Sequence, residues 1–264
     1  MKLKNKTMNG AQPLVSIITA CFNARPTIGQ AIDSVRSQTY QNIEYIIIDG
    51  GSSDGTVEII KGNANAVSFF ISEPDNGIAD AWNKGLARAK GSIVGLLNAD
   101  DALDPRAVET IVAGIGTDER VVTYGITKMF EHAMTDVVFE MKPQYNKERL
   151  EYGFGFMHTS CFTTRIVYDI VGGFDTRYRI AIDTDFLLRC IRAGIPFKPL
   201  CNVVYMRSGG LSDHRVIAAR IEYYGQLLRY GYPPLRIGIA AVRFAYFELR
   251  RRVVRFLKHA IGKA

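Results

Sequence analysis

Four apolar segments of strand length recur across the first hundred residues, LVSIITA (14–20), NIEYIIID (42–49), the run 67–71 and SIVGLL (92–97), and polar or glycine-containing loops follow them. Between them lie stretches of helical period. One opens near Pro26 and runs to about Thr39 with Ile28, Ile32 and Val35 on one face, and others begin at Thr56 and Ile78. This alternation predicts βαβ units in an α/β fold, a Rossmann-like, mostly parallel central sheet flanked by helices. Right-handed crossovers bring the C-terminal ends of the strands to one edge, where open α/β sheets bind ligands. The loops gathered there are 19–23, 49–54, 73–77 and 98–101.

The fourth segment ends in Asn98, Ala99, Asp100 and Asp101. Two adjacent carboxylates at a crevice repel each other unless a cation lies between them and an anion, and oxygen donors of this kind suit Mg²⁺ or Mn²⁺. The structural alternative is a cap for the helix opening at Pro105. The loop GGSSDG (50–55) lets backbone N–H groups approach a ligand, yet it has neither the dinucleotide glycine pattern nor the P-loop pattern. A cation site, partners for a base and a ribose, and room for a diphosphate together describe a nucleotide-sugar crevice.

Beyond Pro105 the regularity breaks. Residues 120–124 read as a strand, 125–140 as a hairpin, 145–152 and 165–171 as short helices, and 203–206 as a further strand. His158 lies in the apolar run FGFMHTSCFTT, and Phe186, Leu187, Cys190 and Ile191 form a helical face with Asp183 and Asp185 at its start.

The chain has 264 residues, 47% of them hydrophobic and 22% charged, enough for a sizeable core. Cys21, Cys161, Cys190 and Cys201 show no metal-ligand spacing and read as thiols of a reduced, cytoplasmic protein. Neither a secretory signal nor a membrane span is expected. The net charge of +7 belongs to the tail: residues 235–264 hold eight Lys or Arg against Glu248, and the remainder balances. Basic residues interleaved with aromatics across the main domain are absent, so no nucleic acid is expected as a partner. Residues 235–261 instead read as a basic amphipathic helix able to lie on the anionic inner face of the cytoplasmic membrane, or else to pack on the domain. The expected organisation is a flexible N-terminus (1–13), a catalytic domain (14–232) with a nucleotide-binding half (14–104) and an acceptor-binding half (105–232), and the tail (233–264).

The segments SIITACFN, SQTYQNIEYIIIDGGSSDGT, SEPDNGIADAWNKG, LLNADD and GGFD followed by IDTDFLLR occur in this order between residue 14 and about 195. The ordered set resembles bacterial glycosyltransferase family 2, whose members have the GT-A fold, and looks most like transferases that build O-antigen or other surface polysaccharide on a lipid carrier. The resemblance implies inverting, metal-dependent transfer from a nucleotide-diphosphate sugar, a UDP-sugar being favoured, to a glycan acceptor linked to polyprenyl diphosphate. Asp100 falls on the second Asp of the family's Asp-x-Asp motif and would hold the metal. Asp101 would support it or touch the ribose, and Asn98 stands where many relatives have the first Asp. Asp49 would read the base, with Gly50 replacing a second Asp, while Thr19 and Asn23 would line the base pocket. Asn83 would lie by the nucleotide and Lys84 would reach the phosphates.

Asp183 falls on the Asp of the family's Glu-Asp pair, with Ile182 replacing the Glu. It is the candidate general base, the alternative being an N-cap of the helix from 186; Asp185 is assigned to that cap. His158 would contact metal, diphosphate or acceptor, or is a core histidine. Trp82 is a packing residue or a wall of the acceptor pocket. Gly209, Gly210, Ser212, His214 and Arg215 resemble a loop that closes over the donor, or form a plain surface loop. A non-catalytic nucleotide-sugar-binding subunit is the second reading, kept open by Asn98, Gly50 and Ile182.

Overall fold

Ile17 and Ile18 are sequence neighbours, both fully buried, and they belong to different cores. Successive strand side chains point to opposite faces, so a strand buried on both sides feeds two layers. Ile17 packs with Ile28, Ile32, Ile47 and Ile60 on one face, and Ile18 with Ile46, Ile48, Trp82 and Leu96 on the other. The computed structural model describes residues 12–210 and 214–261, with the side chains of residues 252 and 255–261 outside that description. Most of the expected flexible N-terminus, and Ser212 of the proposed closing loop, lie outside the described residues.

The first half of the chain follows the expected alternation: β1 (Val15–Cys21), α1 (Ile28–Arg36), β2 (Ile43–Asp49), α2 (Thr56–Gly62), β3 (Phe69–Ser72), α3 (Ile78–Arg88) and β4 (Ile93–Leu96). These strands are parallel in the order β3-β2-β1-β4. The chain winds outward from β1 in one direction and resumes at β4 on its other side, which makes the β1/β4 boundary a topological switch point. Helix α3 lies close against β1 because Gly85 has no side chain; a Cβ there would come within 2.4 Å of Ile18.

The second half comprises β5 (Ala102–Leu103), α4 (Ala107–Ile115), β6 (Val122–Phe130), β7 (Val137–Met141), β8 (Phe162–Thr164), α5 (Arg165–Val171), α6 (Ile182–Arg192), β9 (Phe197–Arg207), α7 (Val216–Arg229) and α8 (Pro234–Ile261). It extends the same sheet as β4-β8-β6-β9-β5, with β7 hairpinned on β6. Here the sheet is mixed: β8 runs antiparallel to β4 and β6, and β5 antiparallel to β9. Strand β9 begins well before the expected residue 203, its first half being a half-exposed segment interrupted by Pro199. Helix α6 begins at Ile182, not 186, so Asp183 and Asp185 both lie in its first turn, and neither caps it.

Helix α8 covers the basic tail. Ile237 and Ala240 are buried, while Leu235, Ile239, Val242 and Leu249 are exposed, as are Arg243, Arg250 and Arg251. Among the described residues no helix is long and apolar enough to cross a membrane.

Candidate functional site

Strand β4 gives way to a tight acidic turn at the switch point. Leu97 N–H donates to Ile18 O at 2.9 Å, Asp101 N–H to Asn98 O at 3.2 Å, and the chain then enters β5. Asp101 is 1% exposed. Its Oδ1 accepts from the Arg207 N–H at 2.9 Å and its Oδ2 from Asn98 Nδ2 at 2.9 Å. Asn98 and Asp101 are bound to each other and Asp101 to β9, so the two hold the turn, while Asn98 keeps part of its surface exposed. Asp100 is the member of the pair with exposed surface. Burial raises the proton affinity of both carboxyls; the Asp100 charge adds to the effect on Asp101, whereas Arg207 and His158 oppose it at Asp100.

Among the described residues no group of three or more His, Cys, Asp or Glu is arranged as a metal cage. Mg²⁺ and Mn²⁺ need no such cage in this chemistry, because one or two carboxylates suffice when substrate phosphates and water complete the shell. Asp100, an all-oxygen donor beside a second carboxylate with deficient counter-charge, fits that requirement; Asp101 fits as support for it.

The loop after β2 is built on Asp49, which is fully buried. Its Oδ2 accepts from the N–H groups of Gly51 (3.1 Å) and Ser52 (2.9 Å) and from Ser72 Oγ (2.6 Å), and its Oδ1 from Ser52 Oγ (2.5 Å) and Cys21 Sγ (3.4 Å). Burial pushes this carboxyl up, and the hydrogen bonds from Ser52 and Ser72 outweigh it, so it titrates below its ordinary range. In this arrangement the Asp49 oxygens shape the loop. Stability from a carboxyl with a depressed folded value is present above its unfolded value of about 4 and is lost as pH falls through the folded one. Asp49→Asn is therefore expected to cost about 2–3 kcal/mol at pH 7, with a gap to wild type that narrows at pH 3 in urea titrations.

Thr19 is likewise fully buried, with its hydroxyl 2.9 Å from the Tyr45 OH. Asn23 is exposed at φ +49°, and its Oδ1 accepts from Ser53 N–H at 3.1 Å, joining the two loops. Beside it Phe22 is 64% exposed, an apolar ring standing free at the ligand edge. At Gly50 a Cβ would come within 2.6 Å of Asp75 Oδ2, so the Asp75 carboxylate fills the place where a side chain at position 50 would stand.

Helix α3 turns its NKG segment inward. Asn83 Nδ2 donates to Phe174 O at 2.7 Å, and its Oδ1 accepts from Phe174 N–H at 2.8 Å. Both ends of that amide pin the GGFD loop. Lys84 Nζ pairs with Glu73 Oε1 at 2.8 Å and Asp80 Oδ2 at 3.6 Å, so its charge is spent on the 73–80 segment. Trp82 is buried, its ring 5.0 Å from Phe174 and 5.7 Å from His158.

His158 Nδ1 lies 3.4 Å from Asp183 Oδ2, with about a quarter of each side chain exposed. The same imidazole is close enough to act electrostatically on Asp100. Its Nε2 is buried with no partner among the described residues. A small cavity lined by His158, Asp183, Cys161, Thr163 and Phe174 adjoins the pair. Asp185, two residues on, is spoken for: Arg189 Nε donates to its Oδ2 at 2.8 Å and the Tyr230 OH to its Oδ1 at 2.9 Å. The N-cap assigned to it is thus replaced by an ion pair.

The sequence profile of glycosyl transferase family 2 matches residues 16–192, more than half of the chain. The chain belongs to glycosyl transferase family 2. This glycosyltransferase is 28% identical over 248 residues to an uncharacterized glycosyltransferase of Mycobacterium tuberculosis, covering 91% of each chain. Its fold is similar to that of S. aureus TarS 1–349 in complex with UDP-GlcNAc (TM-score 0.63, 16% identity, 82% of this chain and 65% of that one). It is also similar to the mannosyltransferase PcManGT of Pyrobaculum calidifontis in complex with GDP-Man and Mn²⁺ (TM-score 0.63, 20% identity, 97% and 82%).

Arg207 and Asp75, which border these loops, escape a reading of motifs. Arg207 closes β9, its backbone holding Asp101 and its guanidinium lying 4.6 Å over the Phe130 ring. Asp75 is concealed in a loop whose Pro, Asn and Gly signal only a turn.

Proposed function

We propose that this glycosyltransferase moves a sugar from a nucleoside-diphosphate donor to an acceptor hydroxyl by one inverting displacement with a divalent cation, Mn²⁺ or Mg²⁺. The observation that carries this reading is the position of His158, in contact with Asp183 and within electrostatic reach of Asp100. This reading puts the proposed base, Asp183, and the proposed holder of the cation, Asp100, near one imidazole. The cation, when bound, supplies Lewis-acid stabilisation of the departing diphosphate. Asp100 would hold it, with Asp101 and Asn98 fixing the turn beneath.

Asp183 takes the proton from the acceptor hydroxyl as that oxygen attacks the anomeric carbon, and His158 orients the carboxylate. At the other end of the cleft the exposed Phe22 ring is a stacking platform for the base. The Asp75 carboxylate accepts from a ring N–H such as uracil or guanine presents. The UDP-GlcNAc and GDP-Man bound to the structural neighbours are consistent with either base. Release of nucleoside diphosphate is the test. A screen of UDP-, GDP- and dTDP-sugars with Mn²⁺ and a lipid-linked glycan acceptor is expected to find one donor consumed only when acceptor is present. Silence across the donor set would overturn the reading.

The acceptor is a polyprenyl-diphosphate-linked glycan of surface polysaccharide synthesis, met at the inner leaflet through α8. Exposed apolar side chains (Leu235, Ile239, Val242, Leu249) and exposed arginines share this helix, the composition of an interfacial segment. With about 1 kcal/mol per basic residue near an anionic surface, the triple change Arg243→Glu, Arg250→Glu and Arg251→Glu is expected to weaken vesicle binding at least about a hundredfold. Flotation with anionic vesicles measures it, and equal partitioning of wild type and variant would leave α8 as a helix packed on the domain.

A further inference from the structure

Glu222, Gln226 and Tyr230 follow one another at four-residue spacing, the first two on α7 and Tyr230 at its C-cap, and thus share one face. All three end on the segment that carries Asp183. Glu222 Oε2 accepts from the N–H groups of Ile180 (3.0 Å) and Ala181 (2.9 Å), and Arg179 N–H lies 3.3 Å from Oε1. Gln226, 1% exposed, donates from Nε2 to Ala181 O at 2.9 Å. Tyr230 OH donates to Asp185 Oδ1 at 2.9 Å.

The N-cap of α6 is Ala181, which has no side chain able to cap, and the leading N–H groups of a helix lack intrahelical partners. Glu222 supplies from another helix an acceptor for the N–H groups just ahead of that end, with a negative charge where the helix dipole favours one. Asp183 is thus bracketed: the backbone on its N-terminal side is held by Glu222 and Gln226, and Asp185 on its C-terminal side by Tyr230 and Arg189. Asp183 itself keeps His158 beside it, Nδ1 to Oδ2 at 3.4 Å.

We infer that Glu222 is a positioning residue of this glycosyltransferase: its carboxylate, with Gln226 and Tyr230, sets the position of the Asp183 carboxylate, so that acceptor activation depends on the docking of α7. This rests on the reading of Asp183 as the base. A displacement of order 1 Å at a reacting group costs up to about a hundredfold in rate, and donor binding, made by other loops, does not share that loss.

The test uses the full-length enzyme at saturating donor. Glu222→Ala is expected to lower kcat about thirtyfold while donor KM and UDP affinity by calorimetry stay within about twofold, and Glu222→Gln, whose amide oxygen still accepts, to recover most of the lost kcat. Tyr230→Phe, a milder change at the far end of the row, is expected to lower kcat several-fold with donor KM unchanged, which keeps the test open if Glu222→Ala does not fold. Wild-type kcat in Glu222→Ala, equal losses in the Ala and Gln variants, or a loss confined to donor KM would overturn the inference. In the Tyr230→Phe arm, wild-type kcat would do so. Asp183→Asn, assayed in parallel, separates the two levels: full turnover there would remove the reading of Asp183 as the base, and this inference with it.

Discussion

Replacing Asp100 with alanine is expected to lower kcat about a thousandfold, since Lewis-acid stabilisation of a leaving group contributes several kcal/mol and each 1.36 kcal/mol is about a factor of ten. Its carboxylate combines a raised proton affinity, caused first by burial, with exposed surface at the end of β4. Alanine removes that carboxylate and nothing that holds the turn, because the turn is fixed by Asn98, Asp101 and the backbone of Arg207. Stability by thermal scanning should therefore change little in Asp100→Ala while turnover and its dependence on Mn²⁺ collapse. Retention of turnover within about tenfold would mean that the diphosphate is neutralised elsewhere, with the Arg207 guanidinium the next group to examine.

What the residue order made legible is the part governed by period and by strand ends. Buried strands such as β1 and β2 read as continuous apolar runs, and the switch point follows from topology rules alone. That is why the acidic turn, the base loop and the 73–77 loop could be gathered onto one edge before any contact was known. The second half resisted because its determinants are not periodic. Strand β5 has two residues, recognisable only through its pairing with Tyr205 and Val204, and the entry of β8 antiparallel to β4 has no local signal.

Within the site, a motif marks which residues belong to the neighbourhood without saying which way they face. Asp49 ends β2, Asp101 lies in the turn after β4, Thr19 lies within β1 and Asn83 in the middle of α3, and the polar groups of all four bond within the protein. Each buried polar atom needs a partner, and the nearest partners are the loops themselves. Asp75 owes its place beside Gly50, and His158 its place beside Asp183, to folding across long sequence separations.

Asp183 and Asp185 give the sharpest contrast, since one helical turn holds two identical side chains in different surroundings. Asp183 has 28% of its side chain exposed and faces His158; Asp185 has 3% exposed and is paired with Arg189 and Tyr230. Loss of a general base costs 10²–10⁴-fold, so Asp183→Asn is expected to lower kcat by about a thousandfold. Donor KM and thermal stability should stay near wild type, because the amide keeps the shape and no buried network is broken. Asp185→Ala leaves the Arg189 guanidinium with an unbalanced, largely buried charge and should cost about 3–5 kcal/mol of stability, the usual penalty for removing one partner of such a pair. Whatever activity remains in its folded fraction should exceed that of Asp183→Asn. Steady-state kinetics beside urea unfolding resolves the two effects. If the outcomes were exchanged, with Asp183→Asn destabilised and Asp185→Ala inactive but stable, the carboxylate that takes the acceptor proton would be Asp185. The side chains would then have to repack on donor binding, since Asp185 reaches the cleft only after releasing both Arg189 and Tyr230.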